Sequence, residues 1–181
     1  MALPQLNSAR YEIVIPSQNR TVSYRPYLVK EEKILMVALE SQDQGMIMRA
    51  IKDVIEQCVY DDIDVNKLAV FDIETLFLAL RAKSVGENMD LKIKCTECES
   101  LVDVSVNVDD IEIPQINTDN VVMLTETIGV TLRYPSFEMV SNIGHDVDTV
   151  DSAFKMIADC IDTIFEDDAV HNASDITQAE M

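Results

Sequence analysis

The chain has 181 residues, 48% of them apolar, which is enough for one domain or two small ones with a real core and excludes a disordered tail. No apolar run approaches the ~20 residues of a membrane helix, and the start, MALPQLNSAR, lacks a charged region leading into an apolar run, so no signal peptide is expected. The net charge is −19, a field that repels phosphate backbones and acidic membrane surfaces and so argues against direct nucleic-acid or membrane binding.

The charge is uneven. Residues 1–60 carry seven acids and seven bases, whereas Val140 to Met181 carry ten acids and one base, Lys155. That excess is either a solvated surface or an acidic face for a basic partner. Four cysteines without an export signal imply reduced thiols in a cytosol.

In chain order, RYEIVIPSQNRTVSYRPYLV (10–29) predicts a β-hairpin. Tyr11, Ile13 and Ile15 alternate with Glu12 and Val14, Ser17–Asn19 turn the chain, and Val22 and Tyr24 resume the alternation before Pro26 stops it. Three helices are expected next. The first covers Lys30–Glu40, with Ile34, Leu35, Ala38 and Leu39 on one side. The second covers Met46–Tyr60, with Ile47, Ile51, Val54, Ile55 and Cys58 on one stripe. In the third, Asp72 is placed as N-cap for Glu74 and Thr75, Phe71 and Leu76 form a staple, and Ile73, Leu76, Phe77 and Leu80 face inward. Lys83 suits the C-terminal dipole and Gly86 ends the helix.

The period then changes to two. Leu91, Ile93 and Cys95, and after a CTEC turn Val102, Val104, Val106 and Val108, predict a long hairpin with one apolar face. A second hairpin is expected from NVVMLTET and GVTLRYP, joined near Ile128–Gly129, followed by a short helix capped by Ser136. A last helix is expected to start at Asp148 with Val150, Phe154, Ile157, Ile161 and Ile164 as its stripe. The expected fold is α+β: an N-terminal β-hairpin, a three-helix segment, two β-hairpins and a C-terminal helix. The expected division is 1–88, the hairpin with the helices, then 89–166, the β-hairpins with the last helix, then 167–181, a flexible acidic tail or linker.

Catalytic chemistry has little support. Gly45, Gly86, Gly129 and Gly144 are isolated and cannot form a phosphate-cradling loop. His145 and His171 fall in expected loops, outside any nucleophile or metalloprotease motif. Asp61, Asp62 and Asp64 resemble part of a calcium loop but lack its central glycine and closing glutamate, so a helix-flanking acidic turn is the better reading. No catalytic or cofactor-binding residue is assigned.

Cys58 and Cys160 lie on or beside apolar helix stripes, where free cysteine packs as a small hydrophobe. Cys95 and Cys98 differ. C-x-x-C at a hairpin tip has the form of a zinc knuckle, yet it supplies two of the four ligands that zinc takes. Three readings stay open for the pair: a turn without metal, half of a zinc site, or redox use. Redox use fits least, because strands rather than a helix flank the pair and Glu97 and Glu99 should raise a neighbouring thiol's pKa.

Several ordered segments resemble one family. MALPQLNSARYEIVIPS, YRPYLVKEEKILMVALES, LRAKSVGE before KIKCTEC, and VSVNVDDIEI are similar to the baseplate hub assembly proteins of T4-like contractile-tailed phages, from the N-terminus to about Phe165. The resemblance implies a late phage protein, a structural subunit or assembly chaperone, without a catalytic site. Its implied partners are other tail or baseplate hub proteins, with the tape-measure protein a candidate. Its implied location is the host cytoplasm during assembly and, for a permanent subunit, the virion tail. Members of that family continue with a further helical segment and a second C-x-x-C. This chain stops at Met181 without them, so a truncated or divergent member is expected, lacking the natural second knuckle. The alternative is a zinc-knuckle interaction adaptor with a cellular partner.

Overall fold

The computed structural model describes residues 9–111, 120–143, 150–167 and 169–173. It is α+β, with five α-helices and eight strands in three antiparallel sheets among those residues. Two compact units divide the chain: 1–65 with 71–114, and 66–70 with 115–181.

The first unit opens with the expected hairpin. β1 (Tyr11–Ile15) pairs with β2 (Arg20–Tyr24), Ile15 opposite Arg20 and Tyr11 opposite Tyr24. The turn closes through Asn19 at φ 47°, a left-handed conformation that asparagine tolerates. Ile15, Val22 and Tyr24 are buried. Also buried are Val54, Ile55 and Cys58 of α2 (Gln44–Cys58) and Ile73, Leu76 and Leu80 of α3 (Val70–Ser84).

α1 (Val29–Ser41) ends at Gln42, which adopts the left-handed conformation, and α2 begins at once because the Asp43 carboxylate accepts the Met46 N–H at 3.0 Å. The third helix starts earlier than the sequence suggests. Asp72 is not its N-cap: it lies inside the first turn, fully buried, and its carboxylate accepts the Ser17 N–H (2.9 Å) and the Ser17 hydroxyl (2.5 Å). Asp72 thereby ties the β1–β2 turn to α3, a long-range partner that no local cap rule could supply. Gly86 ends the helix region as expected, at φ 139°.

β3 (Asn88–Lys94) and β4 (Leu101–Asn107) form the predicted long hairpin, with Met89 opposite Val106, Leu91 opposite Val104 and Ile93 opposite Val102. Their shared apolar face is only partly covered.

The second unit holds a four-stranded sheet in the order β5 (Val121–Met123), β6 (Ile128–Leu132), β7 (Ile161–Glu166) and β8 (Ala169–Asn172). The β5–β6 turn lies before Ile128, where Leu124 and Thr125 N–H groups both donate to the Ile128 carbonyl. Gly129 is therefore a strand residue, not the turn. It stands opposite Phe165, whose ring occupies the space a Cβ would fill, with the Met123 sulfur 2.8 Å from that position. α4 (Phe137–Ile143) starts at Ser136, whose hydroxyl accepts the Met139 N–H at 3.3 Å.

Two expectations fail here. α5 (Val150–Asp159) ends before Ile161, so Ile161 and Ile164 belong to a strand and not to the helix stripe. Residues expected to belong to a polar tail instead supply β8, after a turn in which Asp167 has φ 49°. The cap assigned to Asp148 lies outside the described residues.

Residues 66–70 leave the first unit to join the second. Ala69 bridges Ser136, the Phe137 N–H donates to the Leu68 carbonyl (2.9 Å), and the Val70 N–H donates to the Pro135 carbonyl (3.3 Å). Among the described residues of this unit, the buried apolar side chains are Leu68, Ala69, Val130 and Phe137.

Candidate interaction surfaces

Three features could carry function: the CTEC tip, an ion-pair cluster at the start of α1, and the uncovered apolar faces. The tip is built by main-chain bonds. The Cys95 N–H donates to the Ser100 carbonyl (2.9 Å) and the Glu99 N–H to the Cys95 carbonyl (3.0 Å), with Glu99 at φ 57°. This brings Cys98 back toward Cys95. The Cys98 sulfur lies 2.9 Å from the Ser100 hydroxyl and is exposed, while Cys95 is half-buried. Hydrogen bonds from the Ser100 side chain, the Ser100 backbone and the Cys95 side chain lower the Cys98 thiol to about 7. The acidic neighbours do not prevail, contrary to the reading from sequence. Hydrogen bonds act on the sulfur directly, and Glu99 is paired with Lys94 at 3.1 Å.

At the head of α1, Glu31 is fully buried. Its carboxylate accepts from Arg25 Nη2 (2.9 Å), from the Leu28 N–H (2.8 Å) and from Lys30 Nζ (3.2 Å). Burial alone would raise this carboxyl. The hydrogen bonds from Arg25, Leu28 and Lys30 outweigh it, and the net direction is below the ordinary glutamate value. Arg25 also donates to the carbonyls of Pro26 and Gln57, both at 3.0 Å, the latter at the C-terminal end of α2 where a cation is favoured. Hairpin, α1 and α2 are thus joined through one guanidinium. The cluster is structural, since every charge in it has an internal partner.

The apolar faces are not satisfied internally. On α1, Val29 is 79% exposed and Leu39 61%, with Ile34, Met36 and Val37 also open. Only Ala38 and Glu31 of this helix are buried, although Leu35 is partly covered. A groove between α1 and α2 is lined by the apolar Ile34, Val37 and Met46 together with the basic Lys30, Lys33 and Arg49. On α5, Val150 (70% exposed), Phe154 (67%) and Ile157 (59%) form the predicted stripe, but no residue of the helix is buried. Helical spacing identified Val150, Phe154 and Ile157 correctly but carried the stripe on to Ile161 and Ile164, which are strand residues. It could not say what, if anything, covers it.

The family model of the T4 bacteriophage base plate protein matches residues 8–181. The chain belongs to that family. No curated protein and no solved structure matches it. The match runs beyond Phe165, where the resemblance seen in the sequence ended, and takes in β7 and β8.

Asp61 and Asp62 form no cation loop: the Asp61 carboxylate accepts the Ser23 N–H (2.6 Å), and the Asp62 carbonyl accepts from Arg20 (3.2 Å). Among the described residues no group of three or more metal-ligating side chains occurs. His171 is exposed on β8, and His145 lies outside the described residues. Cys58 is buried, and burial pushes its thiol up to about 11, as core packing requires. Cys160 sits half-buried at the α5–β7 junction, with its thiol also raised by burial. Among the described residues no helix is long and apolar enough to cross a membrane. The sequence reading missed the Arg25–Glu31 cluster. Its signal was a glutamate at the third position of α1, where a capping glutamate is expected.

Proposed function

We propose that this base plate protein acts at the hub, as a structural subunit or assembly chaperone, by binding other tail or hub proteins, with the tape-measure protein a candidate. It does so without catalysing a reaction, in the host cytoplasm during assembly and, if retained, in the virion tail. The observation that carries this reading is the outward apolar stripe of α5. Val150, Phe154 and Ile157 lie on a unit in which few apolar side chains are buried among the described residues. Such a unit gains most of its stabilisation from a partner. The non-catalytic reading is supported by the acids. Glu31, Asp61 and Asp72 are committed to structural hydrogen bonds.

Co-expression with the phage's hub and tape-measure proteins, followed by pull-down, tests the proposal. A complex lost on Phe154→Asp is expected; no complex with any tail protein would refute it. The acidic C-terminal third predicts binding that weakens as salt rises to ~0.5 M, and salt-independent binding would assign the interface to apolar contact instead. Mass spectrometry of mature particles separates the two roles, since a chaperone is absent from them.

A further inference from the structure

The groove between α1 and α2 carries a charge opposite to that of the molecule. We infer that it seats an acidic amphipathic helix of a partner protein, a second contact on the first unit, separate from the α5 stripe.

The groove follows from the way the two helices are joined. α1 ends at Ser41 and α2 starts at Gln44, with only Gln42 and the Asp43 cap between them, and the two helices pack against each other. Lys30, Ile34 and Val37 recur at spacings of four and three along α1. Met46, Arg49 and Asp53 recur at three and four along α2, so each set shares one helix face. With Lys33 they line a depression of about 580 Å³. Its apolar lining is open to solvent, Ile34 being 38% exposed, Met46 40% and Val37 52%. Open apolar side chains between two helices are the form of a groove that takes a third helix.

The cations decide which helix. A chain with 33 acids and 14 bases places three bases and one acid, Asp53, around this groove. Lys30 reaches the buried Glu31 carboxylate at 3.2 Å yet keeps its side chain 67% exposed. Among the described residues, Lys33 and Arg49 pair with no carboxylate; the Arg49 Nε–H donates to the Gly45 carbonyl at 3.1 Å. Apolar lining alone would accept any amphipathic helix. Exposed cations beside it favour one whose acids flank its apolar stripe and disfavour a basic one. A phosphate ligand would use the same cations, but it would gain nothing from Ile34, Val37 and Met46 and would meet the net −19 field. The occupant therefore presents apolar residues at i, i+3 or i+4 and i+7, with Asp or Glu beside them.

Titration of the full chain with a fluorescein-labelled peptide, read by anisotropy, tests this. The peptide has about 15 residues, enough for a marginal helix in isolation, with leucines at i, i+3 and i+7 flanked by glutamates. A counterpart carries lysines in place of the glutamates. The acidic peptide should bind, the basic one at least about tenfold more weakly, and binding should weaken as salt rises to ~0.5 M. Val37→Asp, and separately Lys33→Glu with Arg49→Glu, should each weaken binding by about tenfold or more. Circular dichroism should be unchanged in both, because these side chains are exposed. Phe154→Asp should bind the peptide as the parent does, which separates this contact from the one made by α5. Equal binding of the two peptides would overturn the proposal, as would groove variants that bind like the parent or loss of binding in Phe154→Asp. No anisotropy change at about 1 mM peptide would overturn it too. So would a dimer in light scattering that Val37→Asp returns to monomer, since the groove would then belong to a second copy.

Discussion

Removing Glu31 should unfasten the first unit. In Glu31→Ala the Arg25 guanidinium, 13% exposed, keeps its two backbone carbonyl acceptors but loses its carboxylate partner, and the Leu28 N–H loses its acceptor. Breaking one partner of a buried pair costs about 3–5 kcal/mol. Lys30 matters little by comparison. Its side chain is 67% exposed, so Lys30→Ala should stay within about 0.5 kcal/mol. Urea unfolding is the assay, followed by tyrosine signals. Tyr11, Tyr24, Tyr27 and Tyr60 all lie in the first unit, so that unit can be read even if the two unfold separately. With a slope of about 1.5 kcal/mol/M, the midpoint should fall by about 2–3 M. Arg25→Met should cost a similar amount, and the double variant should cost less than the sum by roughly 1–3 kcal/mol, since neither charge is then left alone. Single costs below about 1 kcal/mol that simply add would refute the reasoning. The pH dependence has a definite sign. Glu31 has a folded value below its unfolded one, so its stabilisation is present above the ordinary glutamate range and is lost as pH falls through the lowered value. Glu31→Gln should flatten that acid limb.

Other outcomes follow from the same geometry. Asp72→Ala strands the Ser17 N–H and hydroxyl, and should lower stability by about 1.5–3 kcal/mol in urea unfolding. Gly129→Ala places a methyl against Phe165 and Met123, and should cost about 1–3 kcal/mol, part of it restored by Phe165→Leu. Phe154→Ser removes an exposed ring and should shift stability by no more than about 0.5 kcal/mol, while weakening partner capture. In native, metal-stripped protein, alkylation of Cys98 should rise with pH through about 7 as its thiolate forms, while Cys58, at about 11, stays unlabelled until unfolding. A Cys98 inflection at the ordinary cysteine value would refute the hydrogen-bonded turn.

The local pattern was legible where one rule dominated. Alternation located β1–β4, and helical spacing located α1, α2 and α5. The reading failed where two rules coincided or none applied. Ile161 and Ile164 extend the α5 stripe at helical spacing, yet Ile161, Thr163, Ile164 and Phe165 are also strand formers, and pairing with β6 decided the outcome. β8, AVHN, is held by main-chain bonds to β7 and has no side-chain pattern to read. Asp72 looked like a cap because its true partner, Ser17, is 55 residues away. At the candidate sites, sequence gave the CTEC tip and the apolar stripes. Whether those stripes are covered depends on neighbours, which periodicity does not encode.

Dissection of the protein must respect the excursion of residues 66–70. Those five residues are claimed by one unit while the chain on both sides of them belongs to the other. A fragment starting at Gln115 would lack the main-chain partners of Pro135, Ser136 and Phe137, and a fragment ending at Pro114 would carry an orphaned segment with Leu68 stripped of its cover. No single cut yields two intact halves. During synthesis the same arrangement imposes an order: the segment emerges early and waits for Pro135, Ser136 and Phe137, more than sixty positions later, so the second unit closes only once these are made.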